Sequence, residues 1–327
     1  VAGNPTLYDV AREAGVSLAT ASRTLNGSTR VVKDEYRERV LAAAQRLGYT
    51  PNLSAQAVAR GDSSTVALLV SDIADPYFAG IAAGVIRASD AAGLAVAMAV
   101  TERDTKRELD LIRMLRGQRP RVIVLAGSRT VDESSRETLV AELSAFEATG
   151  GRVVLVGQHG LPFPTVQIDN AGGAHELAAS LAELGYREPI ILAGPEQLVI
   201  AQERLRAFAE RMPAARVIHG AFTRDGAHEA MLTAIDEGLG GADLVFAVND
   251  VMAIGALSAL RDRGLVGAVG VAGFDDIPMA QDVTPALTTV RVDLEGAGEA
   301  SLALALGDSS SATIAATVVI RDSTPAR

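Results

Sequence analysis

The sequence predicts an α/β protein: a body of two similar lobes, each a parallel sheet covered by helices, behind a small helical head. Three observations carry this. From Thr65 onward short apolar runs alternate with amphipathic stretches, in two successive series. Ahead of them, residues 6–47 hold three helical patterns. Charge divides at the same place: the chain carries a net −10, yet residues 1–61 hold eight basic against five acidic side chains. A small positive front on a strongly acidic body fits one end built to meet nucleic acid. The 327 residues suffice for about two domains plus a small module.

The head is organised by Thr6–Asn26. Thr6 caps a first helix, with Asp9 three residues on as its capping-box partner. Val10, Ala11 and Ala14 form an apolar stripe, and Gly15 supplies the turn. Ser17 caps a second helix, in which Ala21 and Leu25 face inward while Leu18, Ala19, Ser22 and Arg23 face out. This is the layout of a helix-turn-helix, whose second helix enters a DNA major groove. After a loop at 26–30, a third helix runs from about Asp34 to Leu47. Val40, Leu41, Ala44 and Leu47 are expected to close the core, with Gly48 as the stop.

In the body, Val66–Val70, Leu94–Val100, Val122–Leu125 and Val153–Val156 read as buried strands. Ile190–Leu192, Val217–Ile218, Leu244–Val248 and Val269–Ala272 repeat the pattern, which implies two similar subdomains with a cleft between them. Ligands of open α/β sheets bind where loops leave the strand ends. Asp75, Tyr77 and Phe78 follow the first strand, and Gly194-Pro195 leads into a stretch holding Arg204 and Arg206. Asn249 ends another strand and can offer a donor and an acceptor to a hydroxylated ligand, with Asp250 as a helix cap. Arg206 reads as a solvated face residue.

Other classes are disfavoured. There is no cysteine, hence no disulfide or thiolate metal site, and the four histidines lack metal spacing. No G-x-S-x-G elbow occurs. Gly264, Gly267, Gly270 and Gly273 straddle a strand at three-residue intervals, unlike a dinucleotide fingerprint. Neither a membrane span nor a signal peptide is evident, so the expectation is a cytoplasmic protein that is not an enzyme, needs no cofactor and meets no membrane.

The residues Leu7-Tyr8-Asp9-Val10-Ala11, Ala14-Gly15-Val16-Ser17, Thr20, Ser22-Arg23 and Leu25-Asn26 resemble the signature of the lactose/galactose-repressor (LacI/GalR) family. The resemblance covers almost the whole chain. It implies a helix-turn-helix domain over 1–50, a hinge helix over 51–61 and a two-lobed, periplasmic-binding-protein-like body over 62–327. Lobe 1 would take about 62–159 plus 291–310, and lobe 2 about 160–290 plus 311–327, ending with a strand at Thr317–Ile320. The implied function is a dimeric transcriptional regulator, a repressor by expectation, on a palindromic operator. Leu18, Ala19 and Arg23 would meet base edges, with Thr6, Tyr8, Ser17, Thr20, Ser22 and Asn26 positioning the backbone. In the hinge helix Val58 would wedge into the minor groove where Leu is usual, with Asn52, Ala55 and Gln56 beside it. The third helix departs from the family, with Lys33 and Tyr36 where members often carry a Ser cap and a Thr, after a loop one residue longer. The implied effector site comprises Asp75, Tyr77, Phe78, Arg204, Phe222, Asn249 and Asp275, for a sugar first and a nucleoside or purine second. The rival reading is an exported or cytoplasmic sugar-binding protein without a DNA-binding role, whose fold the body resembles.

Overall fold

The computed structural model describes residues 5–25, 32–50, 63–127, 133–158, 160–307 and 309–327. The chain divides into two compact units, Val1–Ser64 and Thr65–Arg327.

In the first unit, α1 (Leu7–Ala14), α2 (Leu18–Leu25) and α3 (Asp34–Leu47) enclose a core of Val10, Ala11, Ala14, Ala21, Val40, Ala43 and Ala44. The Thr6 hydroxyl accepts from the Asp9 amide at 3.4 Å, and the Asp9 carboxylate accepts from the Thr6 amide at 3.0 Å, completing the capping box. Gly15 turns the chain at φ 64°, and a Cβ there would lie 2.5 Å from Arg39 Nη2. One expectation is corrected. Leu41 is 48% exposed, because α3 presents Val40, Ala43, Ala44 and Leu47 to the core at i, i+3, i+4 and i+7, and Ala43 takes the inward place. Lys33 starts α3 without a side-chain cap bond. The loop at 26–31 and the hinge segment 51–62, and with them Asn26, Asn52, Ala55, Gln56 and Val58, lie outside the described residues.

Among its described residues the second unit holds three sheets. The first has six parallel strands in the order β11-β5-β4-β3-β1-β2: β1 (Thr65–Val70), β2 (Ala95–Val100), β3 (Val122–Ala126), β4 (Arg152–Val156), β5 (Thr165–Ile168) and β11 (Ser311–Ile314). Helices cover both faces. Val66, Leu68 and Val70 of β1 join the core beneath α4 (Pro76–Ala91), while Ala67 and Leu69 face α5 (Thr105–Gln118) and α6 (Glu133–Glu147). The second sheet is parallel, in the order β7-β6-β8-β9: β6 (Pro189–Ala193), β7 (Arg216–His219), β8 (Leu244–Ala247) and β9 (Gly270–Ala272). Around it lie α7 (Asn170–Glu183), α8 (Val199–Arg211), α9 (Arg224–Asp236), α10 (Asp250–Asp262) and the short α11 (Met279–Asp282). An antiparallel ribbon of β10 (Thr289–Val292) and β12 (Ala316–Val319) completes the body.

Chain crossings between the lobes differ from the expected boundaries. Thr165–Ile168 pairs with β4, and Ser311–Ile314 pairs with it in turn, so both belong to the first sheet. The crossings therefore fall near 169 and 315 instead of 160 and 311. The return near residue 291 leads into α12 (Leu294–Leu306), which lies against α4 so closely that a Cβ on Gly84 would overlap the Glu295 carbonyl. The C-terminal segment then rejoins the second lobe, where the Val271 amide donates to Ser323 O at 3.0 Å.

Candidate functional site

All seven residues expected at the effector site line a single cavity in the body, together with Arg103, Leu198 and Ile200. They come from the loops at the C-terminal ends of parallel strands and from the helices α4 and α8 that those loops lead into, the location the fold provides for ligands. Asp75 opens α4, its Oδ1 accepting from the Tyr77 amide at 3.0 Å. Proline at the next position fits the first helical turn, where its missing N–H costs nothing. The Tyr77 and Phe78 rings then meet edge to face, 5.0 Å between centroids, as one wall.

Arg204, 1% exposed, is the polar centre. Its Nε donates to Asn170 Oδ1 at 3.0 Å, Nη1 to Val248 O at 2.8 Å and Nη2 to Asp275 Oδ1 at 2.8 Å. The guanidinium also lies 3.8 Å above the Phe274 ring. A buried cation held on every side in this way is fixed in position, so its remaining donors present a set geometry. Asp275 occupies φ 114°, outside the usual range for a residue with a Cβ. Its backbone amide donates to Val290 O at 2.8 Å, tying this residue to the ribbon between the lobes. A glycine would fit this backbone without strain, so the carboxylate is what the position retains. Burial raises the Asp275 carboxyl from its ordinary 3.8 to about 7, against the pull of Arg204. Burial likewise raises Asp75, with Arg103 and the Tyr77 amide opposing. The Tyr77 hydroxyl is also held protonated well above its ordinary range, by burial first and then by Asp275.

Asn249, not Asp250, takes the capping role, while still lining the cavity. Asn249 caps α10, its Oδ1 accepting from the Met252 amide at 3.0 Å, which leaves the amide Nδ2 as its group for a ligand. Asp250 is not the cap. It is buried, accepting from the Ile277 amide at 2.9 Å and the Thr289 hydroxyl at 2.6 Å, and burial with Asp275 nearby raises its pKa well above the ordinary value. Arg206 is exposed, as expected.

Arg103 was not anticipated. It follows β2 within a charged run, Glu102-Arg103-Asp104, that reads as solvated surface. Its place after a strand end was the available signal. Arg103 donates to Asp72 at 3.1 Å, lies 3.8 Å from Asp75 and sits 5.4 Å from the centroid of Phe222 in the other lobe. Phe222 itself packs on Gly194, where a Cβ would overlap the ring. Asn170 was also missed, since a helix-start asparagine carries no sign of a distant arginine.

In the head, Ser17 Oγ accepts from the Thr20 amide at 3.2 Å and shares a 2.8 Å bond with Thr20 Oγ1. Leu18, Ala19 and Arg23 are exposed on the outer side of α2, with Ser22 and Thr20 half-buried beside them. Tyr8 is 64% exposed and Thr6 is exposed at its cap. Among the described residues no group of side chains could hold a metal ion, and no helix is long and apolar enough to cross a membrane.

A family model for bacterial regulatory proteins of the lacI family matches residues 6–52, and one for a periplasmic binding protein-like domain matches 178–324. The HTH-type transcriptional regulator CelR of Thermobifida fusca is 33% identical over 305 residues, 89% of this chain and 88% of the relative. GalS of Salmonella typhimurium is 33% identical over 312 residues, 92% and 89% of the two chains. The repressor CytR of Escherichia coli is 30% identical over 296 residues, 87% and 84%. Among solved structures, the lac repressor dimer bound to operator and the anti-inducer ONPF superposes with a TM-score of 0.83 at 26% identity, covering 99% of this chain and 100% of that one. A complex of CelR with cellobiose gives 0.69 at 30% identity, covering 98% and 99%. A DNA-reading helix pair and an effector-type body in one chain thus have the same order and extent as in these regulators, and the chain belongs to the LacI family of transcriptional regulators.

Proposed function

We propose that this regulator binds a palindromic operator as a homodimer, acting as a repressor, and answers to a sugar-like effector held in the cavity between the lobes. The observation that carries the effector reading is the convergence of Arg204, Asp275 and Asn249 opposite the Tyr77, Phe78 and Phe222 rings. A fixed guanidinium, a carboxylate acceptor and an amide donor suit adjacent hydroxyls, and aromatic rings suit the apolar face of a pyranose. A nucleoside or purine is the second reading, supported by the same rings. The solved complex of CelR with cellobiose is in keeping with a sugar ligand.

On the DNA side, Leu18, Ala19 and Arg23 would read base edges, with Arg23 suited to guanine, while Thr6, Tyr8, Ser17, Thr20 and Ser22 hold the backbone. Coupling would act through the angle between the lobes: a ligand that prefers one angle shifts the population of DNA-competent dimers. The test is a thermal-shift screen of the intact protein against sugars, polyols, nucleosides and purines. A ligand of the native state raises the melting temperature, and the rise should vanish in Asp275→Ala. A hit that survives Asp275→Ala would place the effector elsewhere.

A further inference from the structure

We infer that the cavity selects an uncharged ligand and rejects its phosphorylated or carboxylated counterparts. This rests on the reading of the cavity as the effector site and narrows the class of effector.

The first ground is the charge of the walls. The lining residues include two cations, Arg103 and Arg204, and each is already matched. Arg204 is paired with Asp275 at 2.8 Å, and Arg103 lies 3.1 Å from Asp72 and 3.8 Å from Asp75. Among the lining residues the two carboxyl groups of Asp75 and Asp275 face the two guanidiniums, and Asp72 outside the lining also holds Arg103, so neither arginine is left as an unmatched cation. An anion brought here finds no spare positive charge in a buried setting where charge is weakly screened. To gain an arginine it must displace that arginine's carboxylate, leaving the carboxylate buried and unpaired.

The second ground concerns the backbone. Helix N-termini are the other means by which α/β proteins hold phosphate, through free N–H groups and the helix dipole. Here the chain's own side chains occupy one amide at each of five helix starts. Asp75 caps α4, Asp104 caps α5, Asp169 caps α7, Thr223 caps α9 and Asn249 caps α10, each accepting from a first-turn amide at 2.8–3.1 Å. The start of α8 has no side-chain cap bond, but Leu198 and Ile200 front it on the cavity side, so an anion there would be desolvated against apolar groups. What the cavity offers a ligand is hydrogen bonding and ring faces, with no net positive charge.

The experiment compares matched pairs by calorimetric titration and thermal shift on the intact protein: glucose with glucose 6-phosphate, galactose with galactose 1-phosphate, cellobiose with cellobionate, adenosine with AMP. In any pair whose neutral member binds, the anionic member should bind about 100-fold more weakly or not at all. An anionic member that binds as tightly as its parent, or more tightly, overturns the inference while leaving the cavity as the effector site. A second variant tests the cause. Asp72→Asn with Asp75→Asn keeps both side-chain acceptors but removes the charges that hold Arg103. It should improve binding of the anionic member at least about tenfold relative to wild type. No improvement, with neutral binding retained, would overturn the charge argument. If no member of any pair binds, the reading of the cavity as a site for sugars or nucleosides fails, and this inference fails with it.

Discussion

Asp275 meets opposed physical demands. It is buried, has a positive φ and pairs with an equally buried arginine. Its carboxyl titrates near 7 in the fold and near its ordinary 3.8 once unfolded, so between those values the native state holds a proton that the unfolded chain has released. Stability must then fall as pH rises through that window and level off above it; Asp75 and Asp250, also raised, add in the same direction. Asp275→Asn removes one contributor. Melting curves from about pH 4 to 8 should be flatter in the variant, by on the order of 2–4 kcal/mol across the window. Parallel curves would mean that Asp275 is ionised throughout. The residues of this site were legible one at a time, because a loop after a parallel strand is a location that sequence can supply. Their partners were not. Asn170 and Arg204 are 34 positions apart, and Asp250 is held by Ile277 and Thr289, 27 and 39 positions further on.

Among the elements, α4 and α12 meet through glycine. A Cβ on Gly84 would overlap the Glu295 carbonyl, and one on Gly298 would overlap the Ile81 carbonyl, so the two backbones touch directly. This contact ties the returning chain to the first lobe after its excursion through the second. Gly84→Ala gains helix propensity, about 1 kcal/mol, but must push two backbones apart. We expect the steric cost to win, with a net loss of about 1–3 kcal/mol in chemical denaturation; an unchanged or raised midpoint would show that the pair separates without penalty. Helix limits in the head matched expectation because caps and glycine stops are local signals: Thr6, Gly15 and Gly48 act within one turn of their own positions. The strands β5, β10 and β11 carried no such signal. Each is four residues long, β5 follows Pro164, β10 has Arg291 at its centre, and β11 alternates small polar and apolar residues at a sheet edge. Only pairing with distant strands makes them strands.

For the whole molecule, charge sets what the DNA-reading end must accomplish. A head with three excess cations is tethered to a body with thirteen excess anions, so phosphate attraction alone gives weak, salt-sensitive binding. Specific contacts must then carry most of the preference for an operator. Arg23 is exposed on the outer face of α2 and has the planar fork that pairs with guanine O6 and N7. In a homodimer each operator would engage two copies, which doubles the free-energy effect of one substitution. Arg23→Ala should therefore cost about 2–6 kcal/mol on a palindromic operator, one to three for each half-site, and much less on a scrambled duplex of equal length. Fluorescence anisotropy on both duplexes at fixed salt measures the difference. Equal losses on the two would make Arg23 a phosphate contact and move base readout to Leu18 and Ala19.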